Sequence, residues 1–320
     1  MTGAKRIARS KTETSTRWRW LKRALAAAIV ALAGFLLYRT LSGYSLDAIL
    51  QSIRKIPTTR LVLAGAFAAG SYFCLTWFDW LALRYAGKPL PWRRAALASF
   101  CSLSLGHNIG FAALSSGAIR FRFYTRWGLR PGDVAKVILF CAATVALGLL
   151  TLGGLALLLR PDLGGKITGL GRPLVLALGL MWLAVPLVYL GMAAFVRERV
   201  TIRGWSLQMP EFKLALAQIG IGVANFACVA ACLHQTLSAV GDVSYFAVAA
   251  VYVIANLTAL VAHVPGGIGV IEGVVMFLLP AGGMIGALVM FRVIYFLVPL
   301  CIGGPLFGLT EVYYRTGKRA

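Results

Sequence analysis

Two ionisable side chains stand out because their surroundings disfavour them. Glu272 and Arg292 each lie inside an apolar run, where a lone charge at mid-membrane depth costs at least ~2.5 kcal/mol. A mutual ion pair would relieve that cost. Ideal helix rise sets them roughly 12 Å apart along the membrane normal, so side-chain reach closes only part of the gap. Two readings stand. Either the two pair with each other or with backbone at helix breaks, or they line a path for a polar headgroup.

The residues before Glu272 add a second chemistry. Pro265, Gly266, Gly267 and Gly269 leave backbone groups unpaired that lipid cannot satisfy. The helical stretch that follows, 268–280, covers only ~20 Å. A helix start inside the membrane attracts an anion such as a phosphate, although a plain Pro-Gly kink between packed helices explains the same residues. Gly106-His107-Asn108 interrupts another apolar region, 95–118. There His107 and Asn108 would cap half-helix ends or hydrogen-bond across a cavity. Ser115, Ser116, Arg120 and Arg122 then combine hydroxyls, arginines and aromatics at an interface. Such arginines either grip phosphate or simply anchor the chain. Asp79, between Trp77 and Trp80, either pairs with one of these arginines or reaches water.

Covalent catalysis has no footing in this sequence. It has no G-x-S-x-G, no H-E-x-x-H and no nucleotide loop. Its three histidines are not spaced as ligands, so no metal is expected, and nothing asks for a cofactor. The six cysteines, Cys74, Cys101, Cys141, Cys228, Cys232 and Cys301, all lie in apolar runs and read as small packing residues.

The elements that must position these side chains follow from composition. Of the 320 residues 59% are hydrophobic and only 13% charged, against about a quarter charged in soluble domains. The bilayer must therefore be the solvent. The formal charge of +22 lies in short loops between apolar runs, the membrane pattern rather than a nucleic-acid footprint. Spans are predicted near 21–40, 61–83, 134–159, 173–195, 214–237 and 246–263, and a last helix near 284–312. An interfacial helix is predicted over 44–56. The basic tail before Leu21 faces the cytoplasm. If 95–118 crossed once, Arg120, Arg122, Arg126, Arg130 and Lys136 would all lie outside. A re-entrant helical hairpin keeps them inside. It leaves only Arg39, Arg54, Lys55, Arg60, Arg160, Lys166 and Arg172 outside. The fold class is thus an all-α polytopic membrane protein, with about eight transmembrane helices plus a re-entrant hairpin and a broken short helix. Its organisation is a basic tail (1–20), a single membrane domain (21–312) and a second basic tail (313–320), with both ends cytoplasmic.

Three blocks together resemble a known family. They are Gly106–Gly110 with Ser115–Tyr124 and Gly128–Lys136, then His263–Glu272 (HVPGGIGVIE), then Phe291–Leu300. They look like the lysyl-phosphatidylglycerol synthase transmembrane family, which includes the flippase half of the multiple peptide resistance factor proteins. The resemblance covers nearly the whole chain. It implies a flippase-like fold that carries an aminoacylated or otherwise polar phospholipid between leaflets of the bacterial cytoplasmic membrane. The soluble aminoacyl-transfer domain of the bifunctional members is not in these 320 residues, so no enzyme activity is expected here. Arg120 and Arg122 would gather an anionic headgroup. His107, Asn108, Ser115, Ser116, Pro265, Gly266, Gly267, Gly269, Glu272 and Arg292 would bound its path, with Asp79 as an ion-pair partner. The expected partners are membrane phospholipids, anionic or aminoacylated. A separate lipid-synthesising enzyme and a second copy of the chain are further candidates. The rival functions are a membrane scaffold for an envelope-lipid enzyme and a small-solute transporter.

Overall fold

The computed structural model describes residues 54, 56–109, 112–196, 199–202, 205–261, 267, 269–279 and 284–316. They fall within the unit Leu46–Ala320. The expected tail at 1–20, the span at 21–40 and the interfacial helix at 44–56 lie outside the described residues, except Arg54 and Ile56. Pro265 and Gly266 lie outside them too.

The protein is an all-α polytopic membrane protein that carries one small β-ribbon. In chain order the helices are α1 (Thr58–Tyr85), α2 (Trp92–Ile109), α3 (Ala112–Arg126), α4 (Pro131–Leu159), α5 (Pro161–Thr168) and α6 (Arg172–Phe195). The ribbon, β1 (Arg199–Ile202) and β2 (Trp205–Gln208), leads to α7 (Phe212–Leu237), α8 (Tyr245–Val261) and α9 (Val270–Leu278). The last long helix comprises α10 (Met284–Arg292), a π-helical turn (Val293–Leu297) and α11 (Val298–Thr316). Among the described residues, α1, α4, α6, α7 and the continuous helix of α10 and α11 are long and apolar enough to cross a membrane, while α8 is apolar but shorter.

Which helices meet lipid and which meet each other is set by side-chain size. Leu180, Met181, Leu187 and Val188 of α6 are exposed and so face the lipid. The core is built by Phe78 and Leu83 of α1, Val134 and Leu149 of α4, Val229 and Leu233 of α7, and Val248 and Val251 of α8. Lipid is as apolar as these side chains, so association rests on close packing and internal hydrogen bonds. Helices α4 and α7 show both. A Cβ on Gly148 would stand 2.6 Å from the Gly222 carbonyl carbon, and one on Gly222 would stand 2.8 Å from the Thr144 oxygen. One turn away, buried Gln218 donates to Phe140 O (3.1 Å) and Thr144 Oγ1 (3.0 Å) and accepts from the Tyr189 hydroxyl (2.6 Å). That side chain ties α4, α6 and α7 together.

Helices α2 and α3 pack on each other as a hairpin. Its two roots lie together, with the Arg94 guanidinium 5.7 Å from the Trp127 ring. Its tip reaches the middle of α1, where the His107 and Tyr72 rings stand 6.5 Å apart. The hairpin therefore goes about half the length of α1 and returns to the end it left. That end gathers Arg84, Arg93, Arg94, Arg126 and Arg130 and is the basic end below. The hairpin is longer than the expected 95–118. Gly106-His107-Asn108 does not form the turn but belongs to the last helical turns of α2. Helix is the cheapest backbone in apolar surroundings, so α2 runs on to Ile109 and α3 begins at Ala112.

Three further features differ from the sequence expectation. The 160–172 connection holds the short helix α5. The 196–213 connection holds the β-ribbon, in which Val200 pairs with Leu207; the Tyr85 hydroxyl donates to Gln208 O at 2.7 Å and ties the ribbon to the end of α1. The last helix runs to Thr316, past the expected 312.

Two outcomes test this architecture. Gly148→Val should destabilise the chain by about 1–3 kcal/mol through overpacking at the α4–α7 crossing; an unchanged thermal unfolding midpoint in detergent would contradict the close approach. With the six native cysteines replaced, Lys88→Cys and Arg130→Cys should label with an impermeant maleimide from the same side of the membrane. Labelling from opposite sides would mean that the hairpin crosses.

Candidate functional site

The first turn of α9 and the last turn of α10 bring the two intramembrane charges together. Gly269, the residue before α9, has φ +80°, a left-handed conformation that a side chain would disfavour. This turn aims its N–H at Glu272 Oε2, 2.9 Å away. Glu272 thereby caps its own helix, while Arg292 grips it in a fork. Arg292 Nε donates to Oε1 and Nη2 to Oε2 at 2.9 Å. Arg292 Nη2 also reaches Gly267 O at 2.9 Å. Both residues are buried, at 8% and 7% exposure. Straight-helix spacing overstates their separation because α9 and α10 are separate helices, one ending at Leu278 and the other starting at Met284.

The π-turn begins at the residue after Arg292. A π-turn widens the helix and redirects carbonyls that an α-helix would use. Here they find side chains from two other elements. Tyr295 O accepts from the Tyr72 hydroxyl of α1 (3.4 Å). Phe296 O accepts from Asn108 Nδ2 of the hairpin tip (3.1 Å), which also donates to Ser104 O at 2.8 Å. The buried Tyr295 hydroxyl lies 2.9 Å from Ser71 Oγ, which donates to Asn225 Oδ1 at 2.7 Å. The His107 ring lies between Tyr72, Tyr295 and Phe296, stacked on Tyr295 at 6.4 Å. Its Nδ1 is buried and bonds nothing among the described residues. The Phe296 ring lies 5.5 Å from the Arg292 guanidinium, within cation–π range. The π-turn thus joins the hairpin tip to the Glu272–Arg292 pair.

Toward the basic end lies a second buried cluster. Arg120 of α3 donates through Nε and Nη2 to the two oxygens of Asp79 on α1, each at 2.8 Å. The Tyr124 hydroxyl adds a bond to Asp79 Oδ1 at 2.6 Å, and the Cys141 sulfur lies 4.0 Å from Oδ2. Asp79 is fully buried and Arg120 nearly so. At the rim itself Arg122 forks onto Glu311 of α11, and Arg126 Nη2 reaches the same carboxylate at 3.0 Å.

Residues 20–303 match the family described as the lysylphosphatidylglycerol synthase TM region. The chain belongs to this family. It is 31% identical over 312 residues to "Uncharacterized protein slr0712" of Synechocystis, covering 95% of this chain and 97% of that one. It is 28% identical over 308 residues to the inner membrane protein YbhN of Escherichia coli, covering 91% and 92%. It is also 22% identical over 329 residues to the phosphatidylglycerol lysyltransferase of Staphylococcus aureus, where the match covers 93% of this chain but only 36% of the relative. The matched family region takes in α1 to α10, both buried ion pairs and the π-turn.

Within this family member the sequence-expected site residues fall into three groups. His107 and Asn108 meet the π-turn, while Gly267, Gly269 and Glu272 gather with Arg292, one residue before it. Ser115 and Ser116 lie in the hairpin seam instead: Ser115 Oγ donates to Gly106 O at 3.4 Å, and Ser116 is buried where a Cβ on Gly106 would touch it at 2.8 Å. Arg120 and Arg122, expected to gather a headgroup, have their forks on Asp79 and Glu311. Of the two readings for Asp79, the ion pair is the one seen, because a fully buried carboxylate has no route to water. Sequence reasoning missed Tyr72, Tyr295, Ser71 and Asn225. The usable signal was Asn225 inside an apolar helix, which needs an internal partner.

Asp79→Asn should destabilise the protein by about 3–5 kcal/mol, because Arg120 is left buried without its counter-charge. The double variant Asp79→Leu with Arg120→Met should recover most of that loss. Thermal unfolding of the three proteins in detergent checks this, and equal midpoints for Asp79→Asn and wild type would contradict it.

Proposed function

We propose that this chain moves a polar phospholipid, anionic or aminoacylated like lysyl-phosphatidylglycerol, between the leaflets of the bacterial cytoplasmic membrane, with both termini cytoplasmic. One observation carries the reading. The tip of the α2–α3 hairpin holds a π-turn, and the residue before that turn, Arg292, forms a buried carboxylate–guanidinium pair with Glu272 of the short α9. The family match supports it, as does the staphylococcal relative, a lysyltransferase named for a phospholipid. The inner-membrane description of the Escherichia coli relative and the basic end of the bundle support the placement.

The geometry suggests how a charged headgroup passes an apolar layer. At rest Glu272 and Arg292 neutralise each other, which avoids the cost of two isolated intramembrane charges. An aminoacylated phospholipid presents a phosphate anion and an ammonium cation together. Arg292 would take the phosphate and Glu272 the ammonium, so each charge changes partners and none is left bare. The aromatic groups of Tyr72, Tyr295, Phe296 and His107 flank this exchange and close the path behind it. This role involves no covalent step.

Leaflet-resolved labelling of the lipid in cells tests the assignment. At equal protein level, Glu272→Gln and Arg292→Ala should each lower outer-leaflet exposure by about tenfold or more, as expected for losing one charge-assisted bond in the transfer. Unchanged exposure would remove the pair from the path. Liposomes containing only the purified chain separate transport from scaffolding, since a scaffold moves no labelled lipid alone.

A further inference from the structure

The rim of the basic end has more cation than its own carboxylate can pair. Glu311 already accepts Arg122 Nε at 2.6 Å, Arg122 Nη2, and Arg126 Nη2 at 3.0 Å. One carboxylate thus serves two guanidinium groups. Arg126 Nη1 is buried and has no acceptor among the described residues, yet a guanidinium N–H in such a position needs one. The Arg126 side chain is 22% exposed, so part of it reaches the surface while Nη1 lies just beneath it. Arg94, exposed at the start of α2, makes no ion pair among the described residues. It lies over the Trp127 ring instead, at 5.7 Å. Trp127 Nε1 donates to the Tyr314 hydroxyl at 2.9 Å, and Arg126 lies 4.9 Å from the Tyr314 ring.

These contacts make one structure from three elements. Arg94 comes from the first leg of the hairpin, Arg122, Arg126 and Trp127 from the end of the second, and Glu311 and Tyr314 from the last helix. Trp127 and Tyr314 form a hydrogen-bonded platform with a guanidinium at each side, at the level where aromatic side chains mark the membrane–water boundary. The surplus is positive, the exposed Arg94 and the unmatched N–H of Arg126 suit phosphate oxygens, and the aromatic platform favours a ligand that stays at the headgroup level.

We infer that Arg94 and Arg126, on the Trp127–Tyr314 platform, form a docking site for the phosphate of an anionic phospholipid at the foot of the hairpin. This names a first contact for the lipid class of the translocation reading and rests on that reading for its purpose, but its binding test does not. The site differs from the buried pair at the π-turn. It stays at the rim and supplies an uncompensated cation, where Glu272 and Arg292 cancel.

The full chain is placed in nanodiscs of mixed phosphatidylglycerol and phosphatidylcholine, released, and read by native mass spectrometry for retained lipid. Wild type should retain phosphatidylglycerol over phosphatidylcholine. Arg126→Gln should lower that retention about tenfold, the effect of one charge-assisted hydrogen bond. Arg94→Gln, a change at an exposed residue that the fold does not need, should lower it several-fold. Glu311→Gln should raise it, because Arg122 and Arg126 lose their internal counter-charge. Retention unchanged in the two arginine variants would overturn the site, and the Arg94 variant keeps that outcome readable if Arg126→Gln fails to fold. A fall in Glu311→Gln as large as in Arg126→Gln would show an internal ion network only. Displacement of the lipid by excess inorganic phosphate would reassign the site to a soluble anion. If the arginine variants bind normally while Glu272→Gln still blocks translocation, the docking site is lost and the central pair stands. The converse result discards the central pair alone.

Discussion

A bilayer offers no hydrogen-bond partner, and most of this structure answers that constraint. Every intramembrane charge and every freed backbone group must be satisfied from within the chain. Asp79 and Glu272 are both buried, and each is held in the fork of an arginine from a different helix. Such pairs add little net stability over apolar residues of the same size, but breaking one is costly. Their effect is therefore to fix which helices lie together. Asp79–Arg120 pins the second leg of the hairpin to α1, and Glu272–Arg292 pins α9 to α10.

The π-turn follows the same logic. Irregular backbone is tolerated in a membrane only where protein or a polar cavity meets it. Here the carbonyls of Tyr295 and Phe296 are met by Tyr72 and Asn108. The irregular turn is thus held by α1 on one side and the hairpin tip on the other. A displacement of the hairpin would strip Phe296 O of its partner, and a change at Arg292 sits one residue from the same turn. Hairpin position and the state of the central ion pair are thereby linked through a single stretch of backbone.

The two ends of this arrangement differ in electrostatic character. At the centre the charges are matched one to one in a low-dielectric setting, where any exchange of partners must keep them matched. At the basic rim the charges are partly exposed, and the cations outnumber the carboxylate that serves them. On the proposed path, an anionic lipid would meet the surplus cations of the rim first and the strict charge matching of the centre afterwards. The lipid-facing α6, with its exposed apolar residues, takes part in neither and supports the bundle from outside.

The sequence by itself determined the class, because so apolar a chain has no solvent but lipid. Basic residues after 118 forced the reversal at the hairpin, since a single crossing would have put five of them on the wrong side. Glycines and prolines marked the broken region near Glu272, because no other residues leave helix backbone unpaired so readily. The sequence could not say which charges would pair. Asp79 and Arg120 are far apart in the chain, and Glu272 and Arg292 look too distant until α9 and α10 fold past each other. It also gave no sign of the π-turn, whose residues Val293–Leu297 read as ordinary apolar helix. Only the tertiary structure decided those features, because each depends on a partner brought from another helix, and partner choice is a property of packing rather than of local spacing.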